Sequence, residues 1–583
     1  MPKHTSPRVF FSLFFILALV GCTVRVSPTA GPLAQTATVQ ASPTSAPLPT
    51  ATQTQPPTPT ALPARPVSPV SGLPQGSEGY PWWNNTTFYE IFVRSFYDSN
   101  GDGIGDLQGI LGKLDYLNDG NLATTTDLGV TALWLMPIYP AESYHGYDVT
   151  DYYSVNPAYG SLQDLKDLIG QAHQKGVRVI LDMVLNHTSD HHPWFIDAQK
   201  PGSKYHDWYV WGGNEHAGDS HWHLAANGEY YYAQFGANMP DLNYLNPAVT
   251  TQMEDVVRFW LQEVGVDGFR LDAIRYLIEE GTALADTEST HAWLKGFREF
   301  YKKINPQAIT VGEIWANTST VTPYVEGDQL DLAFDFDLAD AMVKAVYAKR
   351  ADNAARVLTV DANWFKPLQF ATFLTNHDQA RSMSLFRNDV AKGKSAATML
   401  LTSPGVPFIY YGEEIGMIGL KPDPMIRTPM QWSSQTNAGF TTGAPWESIF
   451  SDYPTKNVAT ESGNPDSLLS YYREMINLRD QHIALRLGEM IPLETGSASV
   501  LAYLRCNAEE NILVVINLAP EPLNAYQLGV KSTPLKGTYQ LAPLIGSGAF
   551  KDLVVDAQGG LAGFQPIPEL EPNQNLVLQM QPK

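Results

Sequence analysis

From about residue 82 to residue 481, short apolar runs alternate with amphipathic stretches. The runs at 88–93, 131–136, 177–184, 266–271, 309–312, 332–336, 370–374 and 408–411 are rich in Val, Ile, Leu and Phe. Short continuous runs of this kind suit strands buried on both faces. Between them, 162–175, 250–264 and 290–303 repeat apolar positions every three to four residues, which predicts helices with one buried stripe. Strands alternating with helices predict a parallel α/β sheet, and eight strands permit closure into a (β/α)8 barrel. Polar residues collect at the C-terminal ends of these runs, the end where barrel enzymes keep their chemistry.

Two stretches break the alternation. Residues 188–247 are too long for a connection and are rich in His, Trp, Tyr and Gly, so they are expected to form a small inserted domain. After residue 481 the period shortens to alternating strands, such as 500–504 and 511–517, which predicts a C-terminal β domain over 482–583. The barrel is therefore expected over 81–187 and 248–481.

Composition changes the picture mainly at the front. Lys3, His4 and Arg8 precede an apolar run over 9–20, too short to span a bilayer but suited to a signal-peptide core. It ends Leu19-Val20-Gly21-Cys22, which resembles a bacterial lipobox. That resemblance implies a signal peptide over 1–21, lipidation of Cys22, and an extracytoplasmic protein anchored to the membrane. Residues 22–80 are mostly Pro, Thr, Ala, Ser and Gln, a composition that forms no core and acts as a tether. The other cysteine, Cys506, has no evident partner, so no internal disulfide is expected. A net charge of −22 argues against nucleic acid, whose phosphates need basic surface, and suits a neutral or cationic partner.

The fourth run ends Gly268-Phe269-Arg270-Leu271-Asp272. In a strand, residues two apart share a face, so Arg270 and Asp272 point the same way. A guanidinium beside a carboxylate favours its charged form and is expected to keep Asp272 ionised, as a nucleophile must be. Alone, the pair suits a structural ion pair equally well. The neighbouring runs add Asp182-Met183-Val184-Leu185-Asn186-His187, Gly312-Glu313-Ile314-Trp315 and Asn376-His377-Asp378. In this order and spacing the four motifs resemble those of the α-amylase family of glycoside hydrolases, and the resemblance runs from about Trp82 to the C-terminus.

The resemblance implies a (β/α)8 barrel with a small domain inserted after strand 3 and a C-terminal antiparallel β domain. It implies retaining hydrolysis with Asp272 as nucleophile, Glu313 as acid/base and Asp378 as the third carboxylate that holds sugar hydroxyls. Glu313 must carry a proton, and neighbouring carboxylates are expected to raise its pKa. His187 and His377 match sugar-binding histidines, and Asp182 matches a supporting aspartate. Tyr144-His145-Gly146-Tyr147-Asp148 resembles the wall of the cleavage subsite, with Tyr147 stacking on the sugar and His145 bonding a hydroxyl. Glu413 and Glu414 follow the eighth run but match no catalytic position.

Asp98, Asn100, Asp102 and Asp106 alternate around glycines, a pattern of oxygen donors suited to calcium. Gly109 stands where an EF-hand has its glutamate, so the loop is not an EF-hand. It resembles the calcium loop of the oligo-1,6-glucosidase branch, with Ile104 donating its carbonyl to a structural Ca2+.

The branch within the family is less sharply marked. Met239-Pro240-Asp241-Leu242-Asn243 is intermediate between the oligo-1,6-glucosidase and neopullulanase branches. Ala273 resembles α-1,4-acting members, and His145 is amylase-like. Arg427-Thr428-Pro429-Met430-Gln431-Trp432 looks glucosidase- or trehalose-synthase-like. In such exo-acting relatives an arginine here can pair with the aspartate matching Asp148 and close the pocket. Ser433 stands where many relatives have aspartate, and Arg275-Tyr276 replaces the Lys-His of many amylases. Trp208, Trp211, Trp222 and residues 230–232 suit either a longer sugar cleft or the core of the inserted domain. The expected activity is hydrolysis of α-1,4 links in starch-like glucans or malto-oligosaccharides. An exo-acting α-glucosidase or glucosyl transferase is the alternative within the class. A non-catalytic carbohydrate-binding protein is the alternative outside it, since fold alone does not give function.

Overall fold

The structure is a computed structural model that describes residues 72–365 and 368–583. The expected signal peptide, Cys22 and most of the expected tether lie outside the described residues. Within them, no helix is long and apolar enough to cross a membrane.

Eight parallel strands close a barrel in sequential order: β1 (Phe88–Ile91), β2 (Ala132–Leu135), β3 (Arg178–Met183), β4 (Gly268–Leu271), β5 (Ile309–Gly312), β6 (Leu332–Phe334), β7 (Phe370–Thr372) and β8 (Val406–Tyr410). Every strand is buried along its whole length, which is why the sequence shows runs rather than alternation. Inside the barrel Phe88 stacks on Phe408 at 4.3 Å, with Trp134, Ile180, Val311, Leu332 and Phe334 filling the remaining space. A larger core lies between the strands and the outer helices.

The outer helices form where the 3.6-residue pattern lies. Leu162–Gln174 opens with a capping box in which Ser161 and Asp164 satisfy each other's backbone N–H groups. Pro247–Arg258 starts on an Asn246 cap and runs into a π-helical turn, Phe259–Val264, before Gly265. Gly268 then opens β4 with φ 152°, and a Cβ there would sit 2.1 Å from the Ile309 carbonyl oxygen. Only glycine admits β5 so close, and this contact seats the strand that carries Arg270.

The inserted segment holds a helix, Pro193–Ala198, and a three-stranded sheet with Tyr230–Tyr232 between Trp211–Gly212 and Trp222–Leu224. Phe195 packs against Tyr209, Trp211 and Tyr231 at 4.9 to 5.8 Å, and buried Trp208 meets Trp194 at 5.0 Å. Trp208, Trp211 and Tyr231 are thus core of the insertion rather than an extended sugar cleft.

After the helix Leu468–Gln481, a six-stranded antiparallel sheet includes Val500–Cys506 between Glu489–Pro492 and Asn511–Asn517. It packs around its own apolar cluster with buried Cys506. The end of the expected tether differs from the sequence reading. Pro74 accepts a hydrogen bond from Arg178 at 3.1 Å, and Asn85 binds Gln75 and Ser77. Residues 74–80 therefore lie on the barrel instead of extending the tether.

Candidate active site

The ends of β3, β4, β5 and β7 bring the expected residues together around one buried guanidinium. Arg270 Nη1 donates to Asp272 Oδ1 at 2.8 Å and to Asp182 Oδ1 at 2.9 Å, and Nη2 donates to Glu313 Oε2 at 2.6 Å. A planar fork bridging Asp272 and Glu313 keeps the two carboxyls close. Close spacing of about 5 Å is the mark of retaining glycosidases, whereas inverting ones leave about 6.5–9.5 Å for a water. Asp182 also accepts from Tyr147 at 3.1 Å and Trp134 at 3.3 Å, so it serves as the seat of Arg270.

Ala273 follows the nucleophile position with φ 48°, a left-handed conformation that costs a residue with a Cβ about 1 kcal/mol or more. This turn aims its N–H at Glu313 Oε2, 3.1 Å away. Strain is held where it orients Glu313.

Asp378 lies in a different electrostatic setting. His377 Nε2 stands 3.0 Å from its Oδ2, and Arg427 Nη2 donates to its Oδ1 at 2.9 Å. Burial alone would raise its pKa, but His377, Arg427 and Arg270 together hold it well below the usual carboxylate range. His377 is itself fixed by Glu90, whose Oε1 is 2.6 Å from Nδ1, and by the Tyr147 hydroxyl at 2.7 Å from Nε2. Burial opposes its charge, but Asp378 and Glu90 push its pKa up to about 9, so it is an imidazolium at neutral pH.

Asp272 departs from the expectation of an acidified nucleophile. Burial is the largest influence and, with the Asp182 and Asp378 charges, outweighs Arg270, raising its pKa to about 6. One cation shared among three carboxylates neutralises each of them only in part. Glu313 is also raised, first by burial and then by the Asp272 and Asp378 charges, against Arg270. Neighbouring carboxylates contribute as anticipated, but desolvation leads. The site thus separates a strongly ionised Asp378 from two carboxyls, Asp272 and Glu313, whose pKa values are both raised.

A family model for the alpha amylase catalytic domain matches residues 90–488, which span this whole constellation. The chain belongs to the α-amylase family. It is 40% identical over 446 residues to an alpha-amylase of Dictyoglomus thermophilum, covering 75% of this chain and 85% of that one. An oligo-1,6-glucosidase of Bacillus cereus is 32% identical over 520 residues, covering 76% and 91%. A trehalose synthase/amylase of Mycolicibacterium smegmatis is 35% identical over 485 residues, covering 73% and 80%. Among solved structures, an alpha-amylase from H. orenii superposes with a TM-score of 0.73 at 37% identity, covering 85% of this chain and 99% of that one. As a member of this family the chain is a glycoside hydrolase acting on O-glycosyl bonds, and its barrel with a C-terminal antiparallel domain is the architecture of those structures.

Around the family's carboxylates, the other expected residues divide. His187 is buried beside Phe235, its Nε2 finds no protein partner, and burial lowers its pKa to about 3. It stays neutral. Tyr147 lies parallel to His377 at 5.7 Å, and His145 Nδ1 accepts the Tyr147 N–H at 3.1 Å. The Arg427–Asp148 pair that would mark the exo-acting alternative is not formed. Arg427 turns to Asp378 and the His377 carbonyl, with Asp423 at 3.5 Å, whereas Asp148 accepts the Ser143 N–H at 3.0 Å and its hydroxyl. Arg275 bonds Asp286 and donates to the Trp315 carbonyl at 2.7 Å, so it is occupied in fixing a loop. Glu413 and Glu414 lie away from the site, bonded to Tyr472 and to Tyr89 and Tyr116.

Sequence reasoning overlooked Glu90 and Trp134. Their signal was present: a lone carboxylate inside the apolar run Phe88-Tyr89-Glu90-Ile91 needs a buried partner.

The loop Asp98–Asp106 presents oxygen donors of the type calcium takes. Asp98 accepts the N–H groups of Asn100, Gly101 and Gly103, and Asp106 those of Ser99 and Gly109. Asn100 and Asp102 accept from Asp102 and Ile104. Among the described residues no group of three or more His, Cys, Asp or Glu side chains is set to hold a metal ion.

Proposed function

We propose that the protein hydrolyses internal α-1,4 links of starch-like glucans or malto-oligosaccharides with retention of configuration. Asp272 attacks the anomeric carbon while Glu313 passes its proton to the departing glycosidic oxygen. The glucosyl group, now esterified to Asp272, is released when Glu313 takes a proton from an attacking water, which restores both carboxyls. Asp378, fixed as an anion, stabilises the oxocarbenium-like transition state and holds sugar hydroxyls. The observation that carries the endo reading is Arg427 bound to Asp378 and turned from Asp148. Without that pair the non-reducing side is left unsealed, and a chain can continue past it. Ala273 after the nucleophile supports α-1,4 specificity.

A chromogenic maltoheptaoside with its non-reducing end blocked tests this, beside its unblocked twin and Asp272→Asn. Cleavage of the blocked substrate by the wild type alone supports endo action. Cleavage of only the unblocked twin favours the second reading, an exo-acting glucosidase or glucosyl transferase, to which the Arg427–Trp432 motif and the trehalose synthase relative point. Oligosaccharide binding with neither substrate cut would sink both α-1,4 readings, endo and exo alike.

Two further proposals rest on the sequence resemblance. The protein is extracytoplasmic and held at the membrane through lipid on Cys22; Cys22→Ala is expected to move it from the membrane to the soluble fraction. The Asp98–Asp106 loop takes a structural calcium ion through Asp98, Asn100, Asp102, Asp106 and the Ile104 carbonyl. That proposal rests on donor chemistry, since the carboxylates already receive backbone N–H groups. Calcium should raise Tm in the wild type and leave Asp102→Ala unmoved; an unchanged wild-type Tm ends the proposal.

A further inference from the structure

One ring outside the carboxylate cluster touches the segments that follow β1 and β2. Trp446, from the long segment after β8, stacks on Tyr144 at 5.4 Å with 24° between planes and meets Phe92 edge-on at 5.9 Å. The Arg94 guanidinium lies 5.4 Å from the same ring. Its Nε1 donates to Ser95 Oγ at 3.0 Å, and that hydroxyl donates to the Arg427 carbonyl at 2.5 Å. Its backbone N–H is anchored separately, on the Gly103 carbonyl at 3.0 Å. Tyr144, on the opposite side of the stack, lies 5.8 Å from the Arg427 guanidinium. Trp446 therefore reaches Arg427 by two routes, a hydrogen-bond relay to its main chain and an aromatic stack beside its head.

Arg427 has two acidic destinations. Asp148 is held by Ser143, the residue before Tyr144, whose ring lies 5.8 Å from the Arg427 guanidinium, yet that guanidinium is bound to Asp378 and the His377 carbonyl. We infer that Trp446 is a positioning residue that keeps Arg427 on Asp378 and away from Asp148, and so keeps the non-reducing end of the cleft open. This rests on the endo-acting reading and adds to it what maintains the open form. Loss of the ring removes the stack beside the guanidinium and the relay to its carbonyl together. Arg427 can then swing to Asp148 and convert the cleft to a pocket.

The test uses the full chain with the blocked and unblocked maltoheptaosides, read as the ratio of the two kcat/KM values. Trp446→Ala is expected to lower the blocked-to-unblocked ratio about tenfold, the combined scale of an aromatic pair and one hydrogen bond. Trp446→Phe keeps the stack and loses only the relay, and a fall of about threefold is expected. Adding Asp148→Asn removes the second destination and should return the ratio toward the wild-type value, whatever the absolute rates. Equal losses on both substrates, with an unchanged ratio in Trp446→Ala and Trp446→Phe, would reduce Trp446 to a structural residue and overturn the inference while the endo reading stands. A wild type unable to cut the blocked substrate would overturn both, and that outcome is visible before any variant is made.

Discussion

Arg270 Nη2 stands 2.6 Å from Glu313 Oε2, while Nη1 of the same side chain holds Asp272 at 2.8 Å. The two carboxyls proposed to act in concert on one glycosidic bond are therefore placed by a single planar fork, itself 1% exposed and seated on Asp182. A lysine carries the charge but has no fork, and it cannot meet both carboxyls at once. Arg270→Lys is expected to lower kcat on a maltoheptaoside by roughly a hundredfold or more, with KM changing far less. A kcat within about threefold of wild type would show that charge alone suffices.

The pH dependence follows from Asp272. Its pKa is raised to about 6, chiefly by burial, so the free enzyme loses the ionised form of its proposed nucleophile as pH falls below that value. The expected kcat/KM profile drops on its acid side with a midpoint near pH 6, one decade per unit. Asp182→Asn removes a neighbouring negative charge and should move this limb to lower pH. A profile flat from pH 6 down to pH 4 would contradict the raised value.

A second buried acid pair bears on stability rather than turnover. Asp335 Oδ1 accepts from Leu338 N at 2.9 Å and Asp361 Oδ1 from the Thr318 hydroxyl at 3.2 Å, while the Oδ2 atoms receive no donor from elsewhere. Burial and the Asp335 charge push Asp361 up to about 9, so we predict that a proton shared between the two carboxyls fills that gap. For an acid whose folded pKa lies above its unfolded value, the stabilisation is complete below the unfolded pKa. It is lost as pH rises toward the folded one. Asp361→Asn imitates the protonated form, so its Tm should exceed that of wild type by about 2–4 °C at pH 8 and by little at pH 4.5. Equal melting at both pH values would mean no proton is shared.

The barrel was legible because its strands are buried on both faces and its helices carry one stripe, so each period appears in the sequence. The clustering of the carboxylates proposed as catalytic was legible because they sit at strand ends, at fixed offsets from apolar runs. What escaped depends on direction and distance. Neither the seating of Arg427 on Asp378, 49 residues away, nor the ring of Trp446 reaching back more than three hundred residues to Ser95 and Tyr144 can be read from spacing, because it is set by where loops from different strands meet. The ionisation of Asp272 escaped for another reason. The adjacent Arg270 is visible in the sequence, but burial and the carboxylates arriving from β3 and β7 are not.

Glu90 makes the point experimentally. It reaches His377 from β1, 287 residues away in sequence, and its carboxylate is one of the two that keep this buried ring charged. Glu90→Gln leaves a hydrogen-bonding side chain of the same length but removes the charge, so the imidazolium should lose its proton at lower pH. Asp378 would then lose a cationic neighbour over a range where the wild type still has it. The ratio of kcat/KM at pH 8 to that at pH 6.5 is therefore expected to fall several-fold in Glu90→Gln. An NMR titration of the His377 ring should show its pKa below the wild-type value of about 9. An unshifted titration would leave Asp378 alone in charge of His377, and Glu90 would be only its hydrogen-bond partner.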